Sequence, residues 1–214
     1  MDILSTVENL RNRLSYDDAP AINNALQASL QTATVSLSMM LRTSFARQDY
    51  LDIFSIRAMV RQGSQPAAYL RLKAGFLTAD PTSILWGSQV SEITSGGGTD
   101  LRSVGNGSVV IDRRTGTIAV HDIEMSNSYV SVEYSAGFET DKEGVYQNVP
   151  EWLIDAVEVL AIVFLDTHYP GFRGERPGDL AALKMRRQQV GLDIQPYVRY
   201  VPSAEFPIST LIKG

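Results

Sequence analysis

The chain has no cysteine among its 214 residues. That excludes a disulfide framework, a thiolate metal site and a cysteine nucleophile, and it fits a reducing compartment. Histidine is almost as scarce, with His121 and His168 alone. His168 follows Asp166 at a spacing a metal ion can use, but no further histidine or cysteine is there to complete a ligand set. No G-x-S-x-G elbow, G-x-x-x-x-G-K-[ST] loop or H-E-x-x-H pair occurs. Gly96, Gly97 and Gly98 lack the strand–turn–helix setting and the lysine of a phosphate cradle, and read as a loop. Long hydrophobic runs are missing too. The longest, Val157 to Leu165, contains Glu158 and is far too short to span a bilayer. MDILSTVENL carries Asp2 and Glu8 where a secretory leader needs positive charge, so a soluble protein made where it works is expected.

Charge is modest. Charged residues make up 20% of the chain, with a net −5, which argues against a generic nucleic-acid binder wanting a basic stripe for phosphates. The charge is unevenly placed: residues 42–73 carry a net +4 and residues 139–158 a net −5. Such polarity suits either head-to-side contact between copies or two solvated faces of opposite bias. Glu151 and Asp155 stand one helical turn apart, as an acid/base pair does, but near a helix start they read as dipole-stabilising charges. Lys184, Arg186 and Arg187 with Arg176 form the one basic cluster, which suits either a phosphate backbone or the end of the last helix. No residue is assigned a catalytic, cofactor-binding or metal-binding role, and an enzyme is not expected.

Hydrophobic content of 44% is enough for one ordinary core, or one core with an inserted subdomain. Ser5-Thr6-Val7-Glu8 fits a capping box, with Ser5 capping a helix from about Thr6 to Leu14. Asp18 then caps a second helix with Pro20 in its first turn. Ile22, Leu26, Leu30, Ala33, Leu37, Met40 and Leu41 stripe that helix to about Ser44, and its other face is Asn, Gln, Ser and Thr.

From Tyr50 the period shortens to two. Tyr50–Ile56, Ala68–Lys73, Ile84–Trp86 and Tyr129–Tyr134 read as strands. Val109–Asp112 and Thr117–Val120 flank Arg113-Arg114-Thr115-Gly116, a hairpin whose Gly116 supplies the left-handed turn position. Gly105-Asn106-Gly107 marks a turn. Five or six strands suffice for a small antiparallel sheet or barrel.

The most strongly patterned stretch is Val149–Tyr169, with Pro150 in its first turn and Trp152, Leu153, Ala156, Val157, Leu160, Val163 and Phe164 on one face. Val159, Ile162 and Leu165 lie off that stripe, so this helix is expected to meet either the long N-terminal helix or a neighbouring subunit. Asp179 can cap a last helix over roughly 180–190, ended by Gly191. Residues 192–214 read as an extended apolar arm, folded back on its own sheet or added to a partner.

The order of these pieces carries a resemblance. Asp112 to Gly116 is D-x-x-x-G, Val130 to Phe138 is V-x-V-E-Y-x-A-G-F, an acidic loop follows, and Val149–Val157 is V-P-E-W-L-x-x-A-V. The series, over about residues 18–190, resembles the head–tail connector (adaptor, head-completion) proteins of tailed bacteriophages. Two features depart from that pattern: the β-rich region of about 90 residues is larger than in the compact helical members, and Asp166-Thr167-His168-Tyr169 stands where Arg-Glu is usual. The resemblance implies a helical body made from the N- and C-terminal segments, residues 1–48 and 139–191, with the antiparallel β subdomain inserted at 49–138; with the extended arm read at 192–214, the fold class expected is α+β. It implies a virion protein assembled in the host cytoplasm, forming a ring (usually of twelve copies) with the portal protein above and a stopper or tail protein below. Genome DNA passes through the lumen without sequence-specific binding, and no cofactor or membrane is involved. The subunit and partner contacts expected are Val159, Ile162, Leu165, Tyr197, Val198, Tyr200, Phe206 and Ile208. The alternative from another class is a small-ligand or carbohydrate-binding β domain on a helical scaffold, stacking its ligand on Trp86, Tyr69 and Tyr129.

Overall fold

The computed structural model describes residues 2–56, 60–62, 65–87, 102–103, 109–121, 128–169, 185, 187–192, 194–195 and 207–213. It is α+β and divides into two compact units: Met1–Phe45 with Phe138–Val198, and Ala46–Gly137 with Arg199–Gly214. The Gly96–Gly98 loop, the Gly105–Gly107 turn, the Asp179 cap, Arg176, Lys184 and Arg186 lie outside the described residues.

The first unit is helical. Helix α1 spans Val7–Leu14, and its N-cap is Thr6, whose hydroxyl accepts from the Asn9 N–H. The capping box expected at Ser5 is therefore displaced by one residue. The Ser5 hydroxyl is drawn inward instead, donating to Glu158 Oε1 at 2.6 Å. Helix α2 spans Pro20–Leu41, 22 residues or about 33 Å of rod. Its N-cap is Ala19, not Asp18, and no side chain caps it. The Asp18 carboxylate is occupied by Arg11 and by the Asn23 amide, each at 2.7 Å. The helix stops at Leu41, three residues before the expected end. Arg42 turns left-handed there (φ 53°), and the Arg42 and Thr43 N–H groups donate to Met39 and Ser38 carbonyls.

Helix α3 spans Glu151–His168 and packs along α2. Pro150 stands at its N-cap rather than inside the first turn, and the Pro150 carbonyl accepts from the Leu153 and Ile154 N–H groups. The apolar breadth of α3 is used within the chain: Leu153, Ala156, Val157, Val159, Leu160, Ala161, Ile162 and Leu165 are all buried. Helical residues also occur at 185, 187–192 and 194–195, so the chain runs helically through Gly191 rather than ending there. Nothing in that glycine's surroundings forces a stop: its missing side chain faces open space.

The second unit is a sandwich of two antiparallel sheets. Strands β1 (Gln48–Ile56), β4 (Ser83–Gly87), β5 (Arg102–Ser103), β8 (Ser128–Ala136) and β9 (Ser209–Lys213) form one, in the order β5-β4-β8-β1-β9. Strands β2 (Val60–Gln62), β3 (Gln65–Arg71), β6 (Val109–Asp112) and β7 (Thr117–His121) form the other, in the order β2-β3-β7-β6. Side-chain alternation turns Tyr50, Phe54 and Ile56 of β1, and Val130, Val132 and Tyr134 of β8, toward Ala68, Leu70, Ile118 and Val120 of the opposite sheet, giving one core. The hairpin expected at Arg113–Gly116 joins β6 to β7, with Gly116 at φ +64° and its N–H on the Asp112 carbonyl. The end of the C-terminal arm is strand β9, paired antiparallel to β1 of its own chain.

Candidate functional site

Two polar clasps and two exposed apolar groups stand out from the general packing. The first clasp centres on Asp52. Alternation along β1 puts it on the inner face with Tyr50 and Phe54, where it is fully buried. Its Oδ2 accepts from the Lys73 N–H at 2.7 Å and the Tyr134 hydroxyl at 2.8 Å, and its Oδ1 accepts from the Thr210 hydroxyl at 2.6 Å. The Tyr134 oxygen in turn accepts from the Ala74 N–H at 3.0 Å, and its ring stacks on Tyr50 with centroids 5.3 Å apart. Burial raises the Asp52 pKa, and these hydrogen bonds pull against that rise. Burial, reinforced by the Asp52 charge, holds the Tyr134 phenol well above its ordinary value, so it remains a donor. One carboxylate thus ties β1, β8, the segment after β3, and β9.

The second clasp lies in the helical unit. Glu158, buried on α3, accepts from Ser5 Oγ at 2.6 Å and pairs with Arg13 at 2.7 Å. Arg13 also reaches the exposed Asp155 at 2.8 Å. Burial opposes the Arg13 charge, but the two carboxylates outweigh it and raise its pKa. This clasp fixes α1 on α3. Near it the N-terminal residues join the acidic loop: the Ile3 N–H donates to the Gly144 carbonyl and the Tyr146 N–H to the Ile3 carbonyl.

The ends of the β-rich insertion meet in the same unit. The Phe138 N–H donates to the Phe45 carbonyl at 2.7 Å, and Phe45, Phe138 and Tyr146 form a cluster with centroids 6.3–6.4 Å apart. Gly137, just before, takes φ +96°, a conformation open to glycine and costly for a side chain. Asn148, just before Val149-Pro150, is also left-handed at φ 56°. The Tyr-x-Ala-Gly-Phe segment thus ends the insertion through Gly137 and Phe138, and the Val-Pro segment starts α3 after the left-handed Asn148.

The exposed apolar residues include Met39 and Met40 at the end of α2, and Ile208, Leu211 and Ile212 toward the C-terminal end. Met39 is 72% exposed and Ile212 62%. Helix α2 carries no Asp, Glu, Lys or Arg along its whole length. A face without charge that ends in two exposed methionines suits adaptable protein contact more than solvation.

Of the contact residues expected from sequence, Ile208 is exposed and donates its N–H to the Ile53 carbonyl at 2.7 Å. Val159, Ile162 and Leu165 are buried in the single chain. Tyr197, Val198, Tyr200 and Phe206 lie outside the described residues. Sequence reasoning missed Asp52 and Glu158. An acid in phase with Tyr50, Phe54 and Ile56 was the available signal for Asp52; nothing local pairs Arg13 with Glu158, 145 residues away.

Among the described residues, no group of three or more His, Cys, Asp or Glu side chains could hold a metal, and no helix is long and apolar enough to cross a membrane. His168 stacks on Phe164, at 6.2 Å. The residues of a carbohydrate platform are also dispersed. Trp86 pairs with Val130 and packs against the core, whereas Tyr69 and Tyr129 fall out of phase with the inward residues of β3 and β8, on different sheets.

The class the fold defines is thus an α+β protein with a β sandwich inserted between helical segments. No protein-family model matches the chain, and no curated protein matches it. Among solved structures it is similar to a chain described as "Neck of empty GTA particle computed with C6 symmetry", at 17% identity over 87% of this chain and 93% of that one, with a TM-score of 0.40. A likeness at that level assigns no role to this chain.

Proposed function

We propose that the chain is a structural, non-enzymatic adaptor of a tailed-phage-like particle. Copies of it form a ring that docks under a portal and links the DNA-filled head to a tail or stopper. The observation that carries this reading is the junction at Gly137–Pro150. The residues by which the sequence resembles head–tail connectors are the ones that return the inserted sandwich to the helical unit: Tyr134 in the Asp52 clasp, Gly137 at positive φ, Phe138 in the aromatic cluster, and Pro150 capping α3. A short degenerate motif gains weight when its residues each have a structural task.

Two further features support assembly. The charge-free α2 ends in exposed methionines, and β9 presents exposed isoleucine and leucine, so both units offer surface for a neighbour or a portal. Ile208 and the arm residues Tyr197, Val198, Tyr200 and Phe206 remain the proposed contacts in the C-terminal segment. A net charge of −5 suits a lumen through which DNA slides without being held.

Electron microscopy of the purified protein, alone and mixed with a tailed-phage portal protein, tests the reading. Rings with a central hole, about twelve-fold by the family resemblance, are expected. A protein that stays monomeric at high concentration and low salt, and binds no portal, would refute it; so would a lumen lined by arginines, for the DNA-sliding part.

A further inference from the structure

We propose that β9 is an exchanged strand: in the assembled state Ser209–Lys213 of one copy pairs with β1 of its neighbour, and the Thr210 hydroxyl donates to Asp52 of the partner subunit. The proposal rests on the adaptor reading only in expecting several copies side by side.

The receptor for the strand is built by the sandwich segment alone. Asp52 offers Oδ1 to Thr210, the Ile53 carbonyl accepts the Ile208 N–H, and residues 49–53 supply the register. None of these contacts depends on which chain delivers the strand. They are identical in cis and in trans, so the choice falls to what else each arrangement covers.

In cis, the chain covers β9 poorly. Leu211 and Ile212 point to opposite faces of the sheet, as neighbours in a strand must, and are 50% and 62% exposed. Ile208, entering the strand, is 54% exposed. Among the described strands β9 stands at the end of its sheet, in the order β8-β1-β9. A short edge strand apolar on both faces is an element made to be covered. In trans, the donor copy is carried to the acceptor's sheet along with its strand and gives these side chains a surface to pack on.

Residues 196–206 separate the last described helical residue, Gln195, from the segment entering β9. At about 3.3–3.6 Å per residue that length spans up to roughly 40 Å, the width of a small domain. Exchange of a terminal element joined by such a length creates a subunit contact without a new binding surface, and head-to-tail exchange closes a ring when the rotation allows.

The absence of cysteine makes a clean test possible. Leu51 lies opposite Leu211 in the β1–β9 register. A full chain with only Leu51→Cys is mixed in equal amount with a full chain with only Leu211→Cys, assembled, then oxidised or treated with a short bismaleimide. Exchange predicts a covalent heterodimer that captures about half of the Leu51→Cys chains, because a ring drawn from an equal mixture seats each donor at random. Replacing the donor by Val110→Cys, exposed on β6, sets the collisional background. Adding Thr210→Val to the Leu211→Cys chain should lower the yield. No heterodimer above background with either reagent overturns the proposal. Rings without the heterodimer sink the exchange and leave the adaptor reading; the heterodimer without rings does the reverse; neither sinks both.

Discussion

Replacing Asp52 by alanine removes one acceptor shared by three donors: the Lys73 N–H and the hydroxyls of Tyr134 and Thr210. A buried donor left unmatched costs about 1–3 kcal/mol, and a backbone N–H cannot turn away as a hydroxyl can. Part of the loss is offset by no longer burying a charge, so Asp52→Ala should destabilise the sandwich by about 3–5 kcal/mol. Asp52→Asn is predicted to behave quite differently. Its amide oxygen can keep Lys73 and Tyr134, its amide nitrogen can donate to a Thr210 hydroxyl turned round, and the buried charge is gone. It should lie within about 1 kcal/mol of the parent at pH 7. The pH dependence separates the two terms. The Asp52 pKa is raised above its ordinary 3.8, so the folded state holds the proton more tightly than the unfolded chain. Its contribution is full below 3.8 and is lost as pH rises through the raised value. Asp52→Asn lacks this loss, and should gain on the parent as pH rises across that window. The chain has two tryptophans, Trp86 in the β sandwich and Trp152 on α3. Urea unfolding followed by Trp86 fluorescence in a Trp152→Phe background reads the sandwich alone. Equal losses for the Ala and Asn variants, or an Asn variant with the parent's pH slope, would show that Asp52 is not the buried acceptor described.

Three further perturbations probe other links. Glu158→Ala should cost about 2–3 kcal/mol in the transition reported by Trp152, since Ser5 and the half-buried Arg13 lose their buried acceptor, whereas Asp155→Ala at the exposed end should cost under about 0.5 kcal/mol; similar costs would mean the clasp is not centred on Glu158. Gly116→Ala is strained twice over, by φ +64° and by a Cβ only 2.8 Å from the Ala74 carbonyl oxygen, and should cost at least about 2 kcal/mol by chemical denaturation; a neutral result would contradict this turn. Leu160→Asp puts a charge into the buried face of α3 and should abolish soluble expression, a claim undone by a soluble, cooperatively unfolding variant.

Much of the architecture was legible in residue order. The threefold and fourfold spacing from Ile22 to Leu41 and from Trp152 to Phe164 marks α2 and α3, and alternation marks β1, β3 and β8, because helix and strand periods are local consequences of backbone geometry. The turn at Gly116 was readable for the same reason. Caps were read less well: Ser5 and Asp18 each look like an N-cap within a four-residue window, yet Glu158 and Arg11 claim their oxygens from elsewhere in the chain. Sequence alone also left open what the off-stripe residues Val159, Ile162 and Leu165 touch and where the arm ends. In the folded chain the first are buried, and Thr210 is brought to Asp52 across 158 residues of sequence. Periodicity states which face of an element is apolar; only the packed chain states what covers it. The division into two sheets over one core was equally out of reach, since strand order is set by long-range pairing and leaves no mark on the strands themselves.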